Sequence, residues 1–547
     1  MQKITPFFLK FPGLLALAAG ALSATGFAPL NMWPITLACL VLLIVLVARA
    51  PGGWQAARTG WLFGLGHFSI GNGWIAVAFT FQAAMPIWLG YIAVVALAMY
   101  LAVYPALCAW SAWWIASRNG RVPGFVGLRY VLAFAGCWTI TEWLRSWVFT
   151  GYSWNPLSMA MLYNYGSPPL IRWIGTYGAS GLYLLTAGLY VWSWYHLANR
   201  ANLRRRVGMP VLIAIWLVLV ALWNVTLLVG DRLTVTDNVA KKTVNLTIVQ
   251  PNISQADKYA AGYDAINFAK LAMNSRQLPS QGPRLVLWPE AAIPDYLEDG
   301  YPLRFYQFQP GESARGARQR LTALMDAGDI LVTGANRLVI EDGQLVAARN
   351  SVSAMNSNGL LLGHYDKAHL VPYGEYLPMP WLLRPLGLAR LVPGELDFWP
   401  GPGARTLDVE IVGKPVKIGL QICYEMIFSG QVVDRRNRPD FIFNPSNDAW
   451  FGTVGPPQHL AQARLRAVEE GLPVVRATPT GISAVINADG KILKSLALGT
   501  SGRIDTILPV AKTPTLFARY GNILAVGFGF LLIAFALLPL ARRHSSR

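Results

Sequence analysis

Apolar and polar positions divide the chain into a long apolar beginning, a mixed centre and an apolar end. Apolar runs of about 20 residues, the length that crosses roughly 30 Å of hydrocarbon, recur through the first part and once at the end. They lie near 12–29, 32–48, 60–80, 86–116, 128–148, 169–197, 209–229 and 521–541. This pattern predicts a polytopic α-helical membrane domain of eight spans, whose first run is an uncleaved anchor rather than a signal peptide.

Between the seventh and eighth runs, short β-rich segments alternate with helical patterns. Strands are predicted near 243–250, 285–288, 330–334, 351–356, 416–422, 441–443, 472–476 and 482–486, and helices near 260–276, 313–327 and 457–470. This alternation indicates a layered α/β domain with sites at strand ends. We therefore predict spans 1–7 in residues 1–230, the α/β domain in residues 231–515, and the eighth span with a tail in residues 516–547.

The composition supports a membrane protein and excludes a nucleic-acid interface. Hydrophobic residues make up 54% of the chain and charged residues only 14%. Almost all of the net charge of +18 belongs to the apolar parts, because Glu142 is the single acidic residue of 1–230 and residues 516–547 contain none. The basic character is therefore not the footprint of a nucleic-acid-binding face.

The basic residues of the loops predict the orientation in the membrane. Lys and Arg collect between predicted spans two and three, four and five, six and seven, and in the tail, whereas the loops around Asn31 and Gln82 carry no charge. The positive-inside rule then places both termini in the cytoplasm and the α/β domain on the opposite side. In a bacterial inner membrane, that side is the periplasm.

One cysteine differs in its surroundings from the other three. Cys39, Cys108 and Cys137 lie in apolar runs and are expected to be core residues, whereas Cys423 ends the apolar segment 418–422. A lone buried Cys usually only packs, but a thiol delivered to a strand end is also a candidate nucleophile. No Cys/His spacing indicates a metal site, and we predict neither metal nor cofactor.

A thiol nucleophile needs a base, and acyl transfer needs a positive or hydrogen-bonding group for the oxyanion. Glu290 follows a predicted strand beside Trp288, where burial is expected to raise the pKa of its carboxyl and suit it to accept a thiol proton. Lys367 is the candidate cation. Taken alone, a solvated carboxylate and a surface lysine near Asp366 are equally ordinary interpretations.

Taken together, these segments resemble the nitrilase superfamily, which uses a Glu–Lys–Cys triad. Trp288-Pro-Glu290 matches its glutamate motif, residues 367–375 its lysine motif, and Ile422-Cys-Tyr-Glu425 its nucleophile motif. Residues 444–452 resemble the segment that usually follows. A nitrilase-like domain between the seventh and eighth of eight spans is similar to the apolipoprotein N-acyltransferase family. That resemblance covers essentially the whole chain, including the segment 249–255.

This resemblance implies an αββα sandwich and a two-step acyl transfer through a thioester. Glu290, Lys367 and Cys423 are the expected catalytic residues, and Glu375, Tyr424 and Glu425 match supporting positions of the family. The expected donor is a phospholipid, phosphatidylethanolamine above all, and the acceptor is the α-amine of a diacylglyceryl-modified N-terminal cysteine on an apolipoprotein. The protein is expected to act as a monomer. Tyr259, a candidate substrate contact, stands where the family often has Trp.

Several alternatives stay open at this stage. Glu142 and Arg145, three residues apart on one helix face, resemble a membrane-domain motif of that family, and they are either a lipid site or a structural ion pair. The apolar, Pro-broken segment 379–393 is either a lid at the bilayer surface or a buried loop. The rival functions are a membrane-tethered periplasmic amidase or nitrilase acting on a small amide, and a sensor or scaffold with an inactive nitrilase-like domain.

Overall fold

The computed structural model describes residues 11–81, 87–118, 124–163, 170–198, 214, 217–218, 243–258, 260, 262–276, 282–383, 385 and 397–538. The chain divides into two compact units. The first comprises Met1–Gly73, Tyr91–Val235 and Tyr520–Arg547, and the second comprises Trp74–Gly90 and Thr236–Arg519.

The chain begins with a series of apolar helices, most of which belong to the first unit. In chain order they are α1 (Pro12–Ser23), α2 (Trp33–Arg49), α3 (Gly53–Gly71), α4 (Ile75–Ala78), α5 (Ile87–Leu101), α6 (Val103–Arg118), α7 (Leu128–Arg145) and α8 (Ile171–Ala198). Glycines let these helices approach closely: a Cβ on Gly20 of α1 would collide with the backbone of Phe63 in α3. Small residues serve this purpose in membrane helix packing, where lipid tails are as apolar as the helices.

The length and composition of the described helices identify only some of the predicted membrane spans. Among the described residues, the stretch Ile87–Arg118 is long and apolar enough to cross a bilayer, and α3 with Ile75–Phe81 qualifies only if the bent pair is one span. Pro12–Gly26, Trp33–Arg49 and Ile523–Leu537 are shorter apolar helices. Nearly all of the predicted seventh span lies outside the described residues. The eight spans therefore stay a prediction.

Two six-stranded sheets form the centre of the second unit. One has the strand order β12-β1-β2-β3-β4-β5, and the other has the order β11-β10-β9-β8-β7-β6. The strands are β1 (Asn245–Gln250), β2 (Arg284–Leu287), β3 (Ile330–Glu341), β4 (Gln344–Asn356), β5 (Leu361–Asp366), β6 (Arg405–Ile411), β7 (Lys414–Leu420), β8 (Phe441–Pro445), β9 (Val474–Ala477), β10 (Ala484–Ile486), β11 (Ile492–Ser495) and β12 (Gly502–Ile507).

Helices cover the outer face of each sheet, which produces four layers. The helices after α8 are, in chain order, α9 (Gln255–Lys258), α10 (Asp264–Ser275), α11 (Ala314–Thr322), α12 (Pro380–Leu383), α13 (Gly455–Glu470), α14 (Leu516–Tyr520) and α15 (Ile523–Leu537). Of these, α10, α11 and α13 pack on the sheets, and α15 belongs to the first unit. One apolar core, with Ile248 and Phe443 among its members, lies between the sheets. A second packs β1 and β2 against α10 and α11, and a third packs β8 and β9 against α13.

The predicted αββα sandwich is thus confirmed, whereas the extent of individual strands differs from expectation. The sequence predicts strands at 330–334 and 351–356, but β3 and β4 continue into a long antiparallel hairpin from Ile330↔Asn356 to Glu341↔Gln344. The outer half of this hairpin is only partly buried, so its apolar signal is weak. The sequence does not predict β5, β6, β11 or β12; β11 is short and largely exposed, and only Ile492 of its four residues is partly buried.

Much of the segment 379–393 lies outside the described residues. The described part begins at Met379 and includes α12. Trp381 in this helix is 75% exposed, and Met379 and Leu382 are exposed as well. Whether the segment acts as a lid stays a prediction.

A close approach of β3 to the loop after β2 positions Glu290. The backbone N–H of Ala292 donates to the carbonyl of Gly334 at 2.9 Å, and the Gly334 N–H donates to the Pro289 carbonyl at 3.3 Å. A Cβ on Gly334 would lie 2.7 Å from that carbonyl oxygen and 2.9 Å from the carbonyl carbon of Glu290, distances that real Cβ atoms essentially never show. Only glycine permits this contact.

We expect Gly334→Ala to destabilise the second unit and displace the Glu290 loop. Overpacking of a tight site costs about 1–3 kcal/mol, so the melting temperature of the detergent-solubilised protein should fall. Gly282→Ala is the matched control, because among the described residues its added Cβ meets only Asn245 Nδ2, at 3.9 Å. Equal melting temperatures for the two variants would contradict the proposed steric role.

Candidate active site

Loops at the ends of strands hold the residues that the sequence singles out. β2 ends three residues before Glu290, β5 ends immediately before Lys367, and β7 leads into Cys423. β2 and β5 belong to one sheet and β7 to the other, so both sheets contribute to the site. The sandwich therefore brings together three segments that are far apart along the chain.

A single buried ammonium group lies between two buried carboxylates. Lys367 is 1% exposed, and its Nζ lies 2.9 Å from Glu375 Oε1 and 3.6 Å from Glu290 Oε1. The side-chain amide of Asn350 donates to the same two oxygens, at 2.9 Å and 2.7 Å respectively. A buried ion pair is tolerated only when such hydrogen bonds accompany it.

Glu290 keeps one oxygen available for the thiol. Its Oε2 accepts no hydrogen bond from a nitrogen or hydroxyl group of the described residues. Burial raises the pKa of the Glu290 carboxyl, but the ammonium groups of Lys367 and Lys258 outweigh burial and hold it below the ordinary value. The expectation of a raised pKa was wrong, because the sequence did not show that two cations flank this carboxylate.

The Cys423 thiol is protonated in the resting site. Burial and the Glu290 carboxylate raise its pKa well above the ordinary value, against the opposing effect of Lys367. Burial of the sulfur and the neighbouring carboxylate therefore favour a thiol over a preformed thiolate. A thiol in this state needs a base to act as a nucleophile, and Glu290 is the candidate beside it.

The backbone at Cys423 takes up a conformation that is rare for a residue with a side chain. Cys423 has φ of +50° and opens the 3₁₀ helix Cys423–Ile427. Such a left-handed residue costs on the order of 1–3 kcal/mol and persists only where its surroundings impose it. The N–H of Asn447, after β8, faces the sulfur and stabilises its charged form.

Glu425 fixes the nucleophile loop to the lysine loop. Its Oε2 accepts from the Ile422 N–H at 2.7 Å, and its Oε1 accepts from the N–H groups of Ala368 and His369 at 2.8 and 3.0 Å. The hydroxyl of Tyr365 also donates to Oε1, at 2.7 Å. These contacts hold the loops of Cys423 and Lys367 in register across the two sheets.

The other predicted residues take different places. Tyr424 is buried, with its ring edge-on to that of Phe428 at 5.2 Å. Glu375 Oε2 accepts from the Val371 N–H at 2.8 Å, which orients the carboxylate that holds Lys367. Tyr259 lies outside the described residues.

Sequence reasoning missed two polar residues of the site. Asn350 sits within β4 between Arg349 and Ser351, so no local pattern distinguishes it, and only its burial in the folded protein does. Lys258 ends α9, and its Nζ donates to the backbone carbonyl of Glu290 at 3.1 Å. Burial lowers the pKa of Lys258 to about 8, while Glu290 and Cys423 act in the opposite direction. Nothing in the local sequence marks this lysine.

The membrane-domain candidates form a separate cluster in the first unit. Arg145 Nη2 lies 3.8 Å from Glu142 Oε1, and both side chains are buried. Glu142 Oε1 accepts from the Leu157 N–H at 2.9 Å, and Arg145 Nη1 donates to the carbonyls of Tyr152 and Trp154 at 2.9 and 3.0 Å. The pair therefore stabilises the backbone of the segment after α7, and both residues also line a small cavity.

The described residues include no group of three or more His, Cys, Asp or Glu side chains arranged to hold a metal ion. What the second unit gathers is the Cys423 thiol, the ammonium groups of Lys367 and Lys258, and the carboxylates of Glu290 and Glu375. This set can transfer a proton from sulfur to oxygen and stabilise negative charge on an attacked carbonyl, which is the chemistry of acyl transfer.

Two family models match the chain. The model of the apolipoprotein N-acyltransferase N-terminal domain matches residues 19–189, and the carbon-nitrogen hydrolase model matches residues 245–511. Apolipoprotein N-acyltransferases from Rhodopseudomonas palustris and Bradyrhizobium diazoefficiens are each 34% identical to this chain. The alignments cover 96% and 98% of this chain, and 94% and 95% of those proteins.

Among solved structures, Saccharomyces cerevisiae Nit3, a member of branch 10 of the nitrilase superfamily, is 21% identical, with a TM-score of 0.35. The match covers 50% of this chain and 93% of that one. Because this TM-score is too low to support a fold assignment, the assignment rests on the strand order and layers described above.

We expect Asn350→Leu to move the acidic limit of Cys423 reactivity to higher pH. The Asn350 oxygen makes no hydrogen bond among the described residues, so the substitution removes the two donated bonds alone. Those bonds favour the ionised form of Glu290, and their loss raises its pKa. Because the base form disappears as pH falls through that pKa, the variant should lose alkylation by iodoacetamide at a less acidic pH than wild type.

Peptide mass spectrometry of Cys423 after timed alkylation measures this limit. Asn245→Leu, an equivalent change at the start of β1, is the control and should leave the pH profile in place. A profile for Asn350→Leu that coincides with wild type would show that Glu290 is not the base.

Proposed function

The chain belongs to the apolipoprotein N-acyltransferase family, and we propose that it transfers an acyl chain from a phospholipid to the α-amine of the N-terminal diacylglyceryl-cysteine of apolipoproteins. The transfer completes the maturation of these lipoproteins and proceeds through a thioester on Cys423. Two observations support this reaction. Relatives aligned over nearly their whole length bear that name, and Glu290, Lys367 and Cys423 lie in one buried site.

In the first step, Cys423 is the nucleophile and Glu290 the base. The sulfur attacks the ester carbonyl of the donor while Glu290 takes the thiol proton. The oxyanion is stabilised by the Lys367 ammonium and the Tyr424 N–H. When the C–O bond breaks, the proton on Glu290 passes to the departing alkoxide, so a lyso-phospholipid leaves and the acyl group stays on sulfur.

In the second step, the α-amine of the acceptor attacks the thioester. Glu290 removes a proton from the attacking nitrogen, and the same two donors hold the oxyanion. Breaking the C–S bond leaves an amide on the acceptor and a sulfur that recovers its proton from Glu290. Electrons and protons balance over the two steps without a cofactor.

The supporting residues act on this pair of steps through the contacts described above. Glu375 keeps Lys367 charged and oriented, because burial alone would lower the pKa of that ammonium, whereas Glu375 and Glu290 raise it above its usual range. Glu425 holds the Cys423 and Lys367 loops together. We further propose Tyr259 as a substrate contact, and Glu142–Arg145 as a membrane-domain site for lipid or for structural support.

The finer features of the proposal concern the donor and the topology. Phosphatidylethanolamine is the expected donor, and the enzyme is expected to act as a monomer. Eight spans, seven within residues 1–230 and one within 516–547, would place residues 231–515 in the periplasm and both termini in the cytoplasm. The distribution of basic residues among the loops supports this orientation.

We expect a thioester to accumulate when donor is present without acceptor. Purified protein incubated with phosphatidylethanolamine vesicles should gain the mass of one acyl chain on Cys423, and hydroxylamine should remove it. Cys423→Ala should gain nothing, while Cys137→Ala, which removes another buried thiol, should behave as wild type. Intact-mass and peptide mass spectrometry read both results.

The same experiment separates the transferase from the amidase. Triad-dependent hydrolysis of a soluble amide, with no acyl adduct formed from phospholipid, would refute the transferase. An acyl adduct that is released by an amine-bearing diacylglyceryl-cysteine peptide, and only slowly by water, would support it.

We expect the orientation to show in the labelling of new surface cysteines. In spheroplasts, a membrane-impermeant maleimide should label Lys491→Cys, an exposed position of the α/β domain, without lysis. Arg547→Cys should be labelled only after the membrane is opened. Labelling of the tail cysteine in intact spheroplasts would overturn the proposed topology.

A further inference from the structure

A buried histidine is hydrogen-bonded to the backbone of the nucleophile. His459 lies on α13, is fully buried, and places its Nε2 3.0 Å from the carbonyl oxygen of Cys423. Neither the sequence motifs nor the reaction steps above use this residue. Its position on the carbonyl side of Cys423 therefore needs a separate explanation.

The partners of the imidazole define which nitrogen donates to Cys423. A carbonyl oxygen only accepts, so Nε2 must carry the proton that is donated to Cys423, in the neutral and in the protonated ring alike. On the other side, Nδ1 faces both the Asp448 carboxylate and Arg476 Nη2, at 2.9 and 3.0 Å. Burial and the Arg476 charge hold the pKa of His459 below its ordinary value, against the effect of Asp448. Asp448 and Arg476 thus hold the donor nitrogen toward Cys423.

Arg476 is itself held by acceptors around it. Its Nη1 donates to Asn444 Oδ1 at 2.6 Å, and its Nη2 also donates to the carboxylate of Asp448. Asp448 Oδ1 lies 2.9 Å from His459 Nδ1. His459 therefore sits in a rigid, fully buried network behind the nucleophile loop.

Aromatic packing restrains the ring as well. Phe451 meets the His459 ring edge-on, with centroids 5.7 Å apart, and Trp74 meets Phe451 in the same way at 4.7 Å. Both contacts lie within the second unit, since Trp74–Gly90 groups with it. The imidazole can rotate away from Cys423 only if this cluster repacks.

Peptide planarity transmits the hydrogen bond to the next residue. The C=O of Cys423 and the N–H of Tyr424 belong to one planar trans peptide and point in opposite directions. Holding the oxygen therefore also fixes the direction of the N–H. The restraint matters here because the φ of +50° at Cys423 is a conformation that relaxes if nothing imposes it.

We propose that His459 is a positioning residue of the oxyanion hole, which aims the Tyr424 N–H at the reacting carbonyl by anchoring the Cys423–Tyr424 peptide. The inference rests on the proposed acyl transfer, in which the Tyr424 N–H stabilises the oxyanion. It predicts a selective defect. Reactions of Cys423 that develop negative charge on oxygen need the aimed donor, whereas alkylation at sulfur does not.

The test compares two reactions of the same sulfur in His459→Met and His459→Gln. Thioester formation from phosphatidylethanolamine vesicles develops an oxyanion, and alkylation by iodoacetamide does not. For His459→Met, which fills the space without a donor, we expect acylation to slow by about 100-fold or more. The lipid concentration that gives half of the maximal acylation rate should stay near wild type, and so should the alkylation rate. His459→Gln retains an N–H donor at similar reach and should recover most of the acylation rate.

Ser429→Ala is the matched control, because it removes a buried hydrogen bond to Glu469 of the same helix without touching the Cys423 peptide. It should leave both rates unchanged. If His459→Met does not fold, the His459→Gln and His459→Asn pair replaces it, because the shorter Asn amide cannot reach the carbonyl. Gln should then acylate much faster than Asn.

Two results would overturn the inference. One is an acylation rate that is insensitive to loss of the donor, and the other is an equal fall of acylation and alkylation, which indicates general damage to the loop. Both presuppose that wild type forms the thioester. Failure of wild type to form it would instead refute the proposed function.

Discussion

The candidate site depends on Lys367, which keeps its positive charge although it is buried near the Cys423 thiol. An isolated ammonium removed from water is too costly to survive, and it normally loses its proton instead. Two carboxylates and one amide prevent this at Lys367. They come from the loop after β2, from β4 and from the loop after β5, so the sandwich must form before the charge can be held.

This arrangement explains the resting state of the nucleophile. Burial and the Glu290 carboxylate disfavour a thiolate, against the effect of Lys367, so the Cys423 proton stays on sulfur in the resting site. In the proposed reaction, negative charge moves from the Glu290 carboxylate, through the Cys423 sulfur, to the carbonyl oxygen of the donor, where Lys367 can stabilise it. A preformed thiolate would instead be exposed to oxidation and alkylation between turnovers.

Backbone geometry around Cys423 is the second requirement. Cys423 is left-handed, and hydrogen bonds on either side of it hold that conformation. Glu425 accepts from the N–H of the preceding residue, Ile422, and His459 donates to the Cys423 carbonyl. Glu425 also binds the loop after β5, which belongs to one sheet, and His459 contacts Arg476 of β9, which belongs to the other. The conformation of Cys423 therefore depends on both sheets.

The sequence determined the layered α/β domain, the triad and the supporting residues Glu375, Tyr424 and Glu425 as candidates, because strand-end motifs are local and several residues long. It did not determine the pKa direction of Glu290, nor the participation of Asn350, Lys258 and His459. Those depend on groups that approach from distant parts of the chain: a carboxyl that follows an apolar strand looks desolvated until two ammonium groups are placed beside it. The local sequence pattern indicates which helix or strand a residue belongs to. The protonation state of a side chain and the groups that it can contact are set by neighbours that only the packing of two sheets brings close.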